Sequence, residues 1–531
     1  MLWTIFERAR VLDGTGGAPY TTDVALADGR IVDIGDLSDR DAYERIPCDG
    51  MVLAPGFIDV HSHSDELWLV DGRCEGKIRQ GVTTEIAGNC GTSVAPLQRE
   101  ALTRKSRDAR VYGLEVSWTD FDTFFRLVER GGVTLNVASL VGLGTTRSCV
   151  AGGAARRLEP EEQIAQERLV RGAVEQGALG VSSGLIYEPG RYAGLDELAG
   201  CARASAASGA PLYASHVRDE GDALEAAIDE ALAVGERAEV AVRCSHHKAA
   251  GKRNWGKVHR TLAAIDRARR RGLSASVDAY PYVASWTELA TILPAGLRDD
   301  GEARTLERLA DPAVMASAAL ALRLARDPEL GGDGWDTIMI TSTGSERNAG
   351  LAGMRLSDIA AREGLRPEHA ALRLLIEEEL QVEAAFFSMN EDDVAAVFSA
   401  DFCCVGSDAS ARAFSGITAR GVPHPRTFGT FPRIFGRYVR GRRVFDAAEA
   451  VRRMTSLPAA LFGIRDRGTI ARGMWADCVV FDAETIVDRA TYAQPFAPPD
   501  GIRDVYVNGR AVLQNGVLTG ARPGRALRNG T

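Results

Sequence analysis

The chain has 531 residues, of which 45% are hydrophobic and 25% charged, with a formal net charge of −9. This length exceeds one simple core, so two or three structural units are expected. The mixed charges give no basic stripe for nucleic acid or an anionic membrane, and no apolar run reaches the ~18 residues of a membrane span.

Residues 1–55 read as short strands separated by Asp-Gly turns: Trp3-Thr-Ile-Phe, Val24-Ala-Leu, Arg30-Ile-Val-Asp-Ile and Met51-Val-Leu. The first residues, Met1-Leu-Trp-Thr-Ile-Phe-Glu-Arg, carry no basic region followed by a long apolar stretch, so no secretory leader is expected. The middle of the chain alternates apolar runs with Ala/Leu/Arg/Glu-rich helical stretches. Eight runs stand out: Phe57–Val60, Thr83–Ala87, Leu135–Val141, Ala178–Ser182, Pro211–Ala214, Val240–Cys244, Ser274–Val277 and Phe402–Val405. Strands alternating with helices predict a parallel sheet, and eight such units predict an α/β fold of the TIM (β/α)8 type over residues 56–466. The longest gap, between runs seven and eight, predicts an insertion near 286–345. Residues 467–531 return to strands, Cys478-Val-Val-Phe and Asp504-Val-Tyr-Val, with Asn508-Gly as a hairpin turn. Residues 1–55 and 467–531 together predict one small β-sandwich. The nine cysteines are scattered without CxxC pairs, which fits a reducing cytoplasm rather than a disulfide framework.

The chemistry gathers at the C-terminal ends of the runs, where this fold places catalytic residues. Run one ends in His61-Ser-His63. Residues i and i+2 of a strand share a face, so both imidazoles aim at one point. Run two leads to Asn89-Cys90-Gly, run five to Ser215-His216, run six to Ser245-His246-His-Lys248, run seven to Asp278-Ala-Tyr280, and run eight to Gly406-Ser-Asp408. An isolated His-x-His also occurs in solvated turns. However, five of the eight histidines fall at these ends, a placement that a shared metal site explains and independent structural histidines do not. Cys90 with His216 and His246 makes a three-ligand zinc set with an open position for water. His61, His63 and Asp408 either hold a second metal or complete the first. Asp408 is also placed to take a proton from water and pass it to a leaving group. Lys248 and Arg426, the latter in the stiff Pro423-His-Pro-Arg loop, suggest an anionic substrate. Phe386, Phe387 and Met389 fit either a helix core or the wall of an apolar pocket. With no basic residue among them, neutral or apolar substrate side chains are expected over acidic ones.

Taken together, these stretches resemble the N-acyl-D-amino-acid deacylases (D-aminoacylases) of the amidohydrolase superfamily. The matching segments run nearly end to end. They include Gly56-Phe-Ile-Asp-Val-His-Ser-His, Gln80-Gly-Val-Thr-Thr-Glu-Ile-Ala-Gly-Asn-Cys-Gly, Gly184-Leu-Ile-Tyr-Glu-Pro-Gly, Tyr213-Ala-Ser-His-Val-Arg-Asp-Glu-Gly, Ser245-His-His-Lys, Asn254-Trp-Gly, Tyr280-Pro-Tyr, Gly406-Ser-Asp and Pro423-His-Pro-Arg. The segment Gly468-Thr-Ile-Ala-Arg-Gly-Met-Trp-Ala-Asp-Cys-Val-Val-Phe-Asp resembles the superfamily's β-domain. The resemblance implies zinc at Cys90, His216 and His246, a weaker second position at His61 and His63, and Asp408 as general base and acid. It places Lys248, Tyr280 and Arg426 around a substrate carboxylate. It implies a zinc-dependent hydrolase of N-acyl-D-amino acids, small-molecule substrates, with no nucleic-acid or membrane partner. Run four, Gly180-Val-Ser-Ser-Gly-Leu, lacks the lysine that binuclear relatives carbamylate. Trp286 stands where a small polar residue is expected, which bears on substrate choice. The competing readings are an amidase of cyclic amides or N-acyl-L-amino acids on the same scaffold and, outside enzymes, a metal-free scaffold protein. Metal analysis separates the latter.

Overall fold

The computed structural model of the protein describes residues 3–530. Both ends of the chain build a single nine-stranded sheet. Thr4–Val11, Tyr20–Ala27, Arg30–Gly35, Glu44–Pro47 and Val52–Pro55 come from the N-terminal side; Cys478–Phe481, Ile502–Val507, Arg510–Gln514 and Val517–Leu518 come from the C-terminal side. The seam is the antiparallel pairing of Val52–Pro55 with Cys478–Phe481. Asn508 and Gly509 both have positive φ, 49° and 76°, as the expected two-residue hairpin turn requires. Glu44–Pro47 has no counterpart in the sequence reading. Its four residues carry no apolar alternation, and it is a strand because Thr4–Val11 offers it a parallel partner.

All eight expected parallel strands are present: Phe57–Asp59, Val82–Ala87, Asn136–Ser139 continued by Val141–Gly142, Val181–Gly184, Leu212–His216, Ala241–Cys244, Ala275–Ala279 and Cys403–Val405. Spatial order follows chain order in two ladders, strands one to three and three to eight. These strands are buried almost throughout, as a parallel sheet covered on both faces must be. Helices such as Pro160–Glu175, Leu195–Ala207, Leu224–Ala238 and Lys257–Arg270 alternate with them. The first and eighth strands meet just past their ends. Ser62 forms a parallel bridge with Ala409, and the Asp408 amide donates to the His61 carbonyl at 2.8 Å. Behind this junction the buried Lys77 ammonium donates to Asp59 Oδ2 (2.6 Å), Ser407 Oγ (2.7 Å) and the Ala409 carbonyl (2.9 Å). A buried cation is tolerated only with such full compensation.

Between the seventh and eighth strands lies an extra antiparallel sheet of Ser285–Glu288, Val382–Phe386 and Ile338–Thr343. It carries a core of its own, including Leu289, Ile338, Ile340, Leu372 and Leu375. The insertion therefore runs past the expected limit of 345. Its central strand, Val382–Phe386, is needed to join the other two. Among the described residues no helix is long and apolar enough to cross a membrane.

Candidate metal centre and active site

The ends of the parallel strands converge on a cavity of about 290 Å³. Four donor groups, His61, Cys90, His246 and Asp408, have ligand atoms within 4.8 Å of one another, and His216, Glu220 and His246 form a second such group. The Cys90 thiol lies 3.3 Å from His61 Nε2 and 3.4 Å from His246 Nε2, while His246 Nε2 is 2.9 Å from His216 Nδ1. His63 stands outside the four-donor group, with Nε2 3.0 Å from Asp408 Oδ1, the oxygen that also lies 3.4 Å from His61 Nε2. The period-two spacing thus brings His61 and His63 to the same carboxylate.

Three of these residues, Cys90, His246 and Asp408, hold the left-handed backbone region, with φ of 52°, 35° and 50°. For non-glycine residues this costs about 1–3 kcal/mol each and is typical of functional sites. Glycine makes room where chains meet: a Cβ on Gly406 would come within 2.7 Å of the His61 Cβ.

Burial shapes the protonation of the site. It lowers His61 to about 4 and His216 well below the ordinary imidazole value, so both rings are neutral and free to ligate. Burial pushes the Cys90 thiol up; a coordinated cation would reverse this, because a ligating thiol is deprotonated outright. Burial also works against ionised Asp408, but the Arg426 guanidinium, with His61 and His246, holds its carboxyl well below the usual range.

Next to the donors lie the groups expected around a substrate carboxylate. Arg426 pairs with Asp408 Oδ2 at 2.9 Å, and its guanidinium lies 4.5 Å from the Tyr280 ring centre. Rather than sitting in a loop, Arg426 opens the helix Arg426–Arg433, and its amide donates to His424 Nδ1 at 3.0 Å. The Tyr280 hydroxyl is buried, lines the cavity and has no hydrogen-bond partner among the described residues. The Lys248 ammonium pairs with Glu220 and lies 2.8 Å from His246 Nδ1.

Phe386 and Met389 do not line this cavity, which corrects the expectation of an apolar pocket there. Phe386 is a strand residue of the inserted sheet, and its partners Ser285 and Ile338 turn it to the second core. Phe387 packs at a tilt against Tyr492, and Met389 packs with Tyr280 and Tyr282. The wall is instead formed by Trp286, Thr287 and Glu288, with Glu383 opposite Glu288 on the neighbouring strand.

Two supporting carboxylates to which the sequence assigns no role stand beside the donors. Asp278 accepts from the His246 amide at 2.9 Å, lies 3.0 Å from His61 Nδ1, and pairs with the buried Arg243. Its place at the end of run seven was a usable signal. Glu220, four residues after His216, has its carboxylate 3.1 Å from His246 Nδ1.

The family model described as Amidohydrolase family matches residues 354–513, a stretch that includes Asp408 and the eighth parallel strand. Over nearly full length the chain is 39% identical to an N-acyl-D-glutamate deacylase of Alcaligenes xylosoxydans xylosoxydans, covering 99% of this chain and 96% of that one. It is 34% identical to a D-aminoacylase of the same organism, over 97% and 96%. Among solved structures it is similar to an N-acyl-D-glutamate deacylase of Bordetella bronchiseptica complexed with zinc and a phosphonate mimic of the tetrahedral intermediate. That similarity has a TM-score of 0.84 and 35% identity, with 99% of each chain covered. The chain belongs to the D-aminoacylase (N-acyl-D-amino-acid deacylase) family of amidohydrolases.

Proposed function

We propose that the protein hydrolyses the amide bond of N-acyl-D-amino acids, releasing a carboxylate and a free D-amino acid. The observation that carries this reading is the convergence of one thiol, four imidazoles and Asp408 beside Lys248, Tyr280 and Arg426 in one cavity. Selectivity for D over L follows from the relatives' activities.

The donor chemistry fits zinc: a thiol and neutral imidazoles at close range are a set this metal favours. Cys90, His216 and His246 would hold the tight ion, with His61 and His63 at a weaker second position. When bound, zinc polarises the amide carbonyl and eases ionisation of water. Asp408 would accept the proton of the attacking water and return it to the leaving nitrogen. Arg426, Tyr280 and Lys248 would hold the substrate's α-carboxylate and so fix the amide carbon beside Asp408.

For the substrate side chain we favour neutral or apolar groups. Trp286 presents an indole to the cavity, and Glu288 and Glu383 line the same wall. Arg104 and Arg412 lie 3.7 and 3.9 Å from Glu288 and Glu383, so these acids occupy nearby basic groups that would otherwise hold a side-chain carboxylate.

We also infer a closed TIM barrel over 56–466, with a β-sandwich from 1–55 and 467–531. The eight-strand order, the Ser62–Ala409 bridge and the shared terminal sheet support this reading. Nine free, buried cysteines support a cytoplasmic location. The decisive experiment is hydrolysis of paired N-acetyl-D- and N-acetyl-L-amino acids by the purified protein, with zinc measured on the same sample. Turnover of the L series alone, or of neither, sinks the proposal.

A further inference from the structure

We propose that Glu220 is a positioning residue that selects the metal-ready tautomer of His246 against the competing ammonium of Lys248. The inference rests on the metal-hydrolase reading above.

His246 turns Nε2 toward Cys90 and His216, so its use as a ligand requires a free lone pair on that nitrogen. The ring proton must then sit on Nδ1. Two opposed groups face Nδ1: Glu220 Oε1 at 3.1 Å and Lys248 Nζ at 2.8 Å. A carboxylate can only accept, which keeps the proton on Nδ1. An ammonium can only donate, which would turn Nδ1 into an acceptor and move the proton to Nε2, closing it to metal. Glu220 resolves the conflict because the same Oε1 also takes a hydrogen bond from Lys248. The ammonium is thereby held on Glu220, whose Oε1, 3.1 Å from Nδ1, is the acceptor we assign to the ring proton.

The chain fixes Glu220 for this task. Its carbonyl accepts from the Ala250 amide at 2.7 Å, tying the loop after the fifth strand to the loop after the sixth. Asp219 caps the turn by accepting from the Gly221 amide at 2.7 Å, and Arg218 next to it is anchored on Glu230 at 2.9 Å. Carboxylates that fix metal-bound histidines are commonly worth about 10–100-fold in metal affinity.

The test measures zinc affinity by chelator competition on the apo-protein, alongside the visible spectrum of the cobalt(II) form and the apo melting temperature. Glu220→Gln should weaken zinc binding about 10–100-fold and alter the cobalt spectrum, with the apo melting temperature unchanged. Adding Lys248→Met removes the competing donor and should restore a large part of the affinity. Equal zinc binding by parent and Glu220→Gln overturns the inference. So does a double variant as weak as the single one, or an apo-protein whose melting temperature falls along with zinc affinity. If Glu220→Gln does not fold, Lys248→Met alone decides: it should bind zinc as tightly as the parent or more so, and weaker binding overturns the inference. A parent that takes up no zinc removes the underlying metal-hydrolase reading instead.

Discussion

Replacing Asp408 by Asn separates proton transfer from geometry. The carboxylate touches His63 and His61 through Oδ1 and Arg426 through Oδ2, at 3.0, 3.4 and 2.9 Å. Asparagine keeps the size and one acceptor oxygen but cannot take a proton. The expected loss in kcat is about 10²–10⁴, or ~3–5 kcal/mol of barrier. The substitution also breaks a buried ion pair with Arg426, which costs up to ~3–5 kcal/mol of stability. Turnover must therefore be read on folded, zinc-loaded protein below its melting temperature. Saturation kinetics distinguish the two effects. Loss of the proton acceptor lowers kcat, whereas a displaced Arg426 weakens binding of the substrate carboxylate and raises KM. Because the proposed tight set is Cys90, His216 and His246, zinc content should stay near one per chain. A kcat within about tenfold of the parent with zinc bound, or a change confined to KM, refutes Asp408 as the proton shuttle.

Cys90→Ala should lose both the tightly held zinc, about one ion per chain, and activity; metal analysis with an activity assay checks this. Arg426→Ala should lower kcat/KM by roughly 30-fold or more, and the methyl ester of the substrate should be poor for the parent enzyme. In competition assays N-acetyl-D-methionine or N-acetyl-D-leucine should outcompete N-acetyl-D-glutamate; the reverse order refutes the role given to Trp286, Glu288 and Glu383. Burial lowers His247 to about 4, its ring bonded to Thr261 Oγ1 at 2.8 Å. Between pH 6.5 and 4 the unfolded chain therefore binds the extra proton, and stability falls as pH falls through that window, by about 3 kcal/mol for this group. Urea titrations of His247→Gln should show a pH slope shallower by about one proton, and an unchanged slope refutes the assignment.

The period-two placement of His61 and His63, the eight buried runs and the ligand types at their ends were legible in the sequence. Each depends on local periodicity and on the rule that this fold gathers its chemistry at strand ends. The hairpin at Asn508-Gly509 was legible for the same local reason. Tertiary structure alone decided which partners these groups meet. Asp278 lies 217 residues from His61, and Glu220 reaches His246 only because two loops are pinned together. Phe386 and Met389 carry no local mark of their surroundings; the inserted sheet and the Tyr280–Tyr282 cluster turned them from the cavity. The same sheet brought Trp286 and Glu288 to the wall, since strand pairing across nearly a hundred residues, not side-chain type, sets which face the cavity.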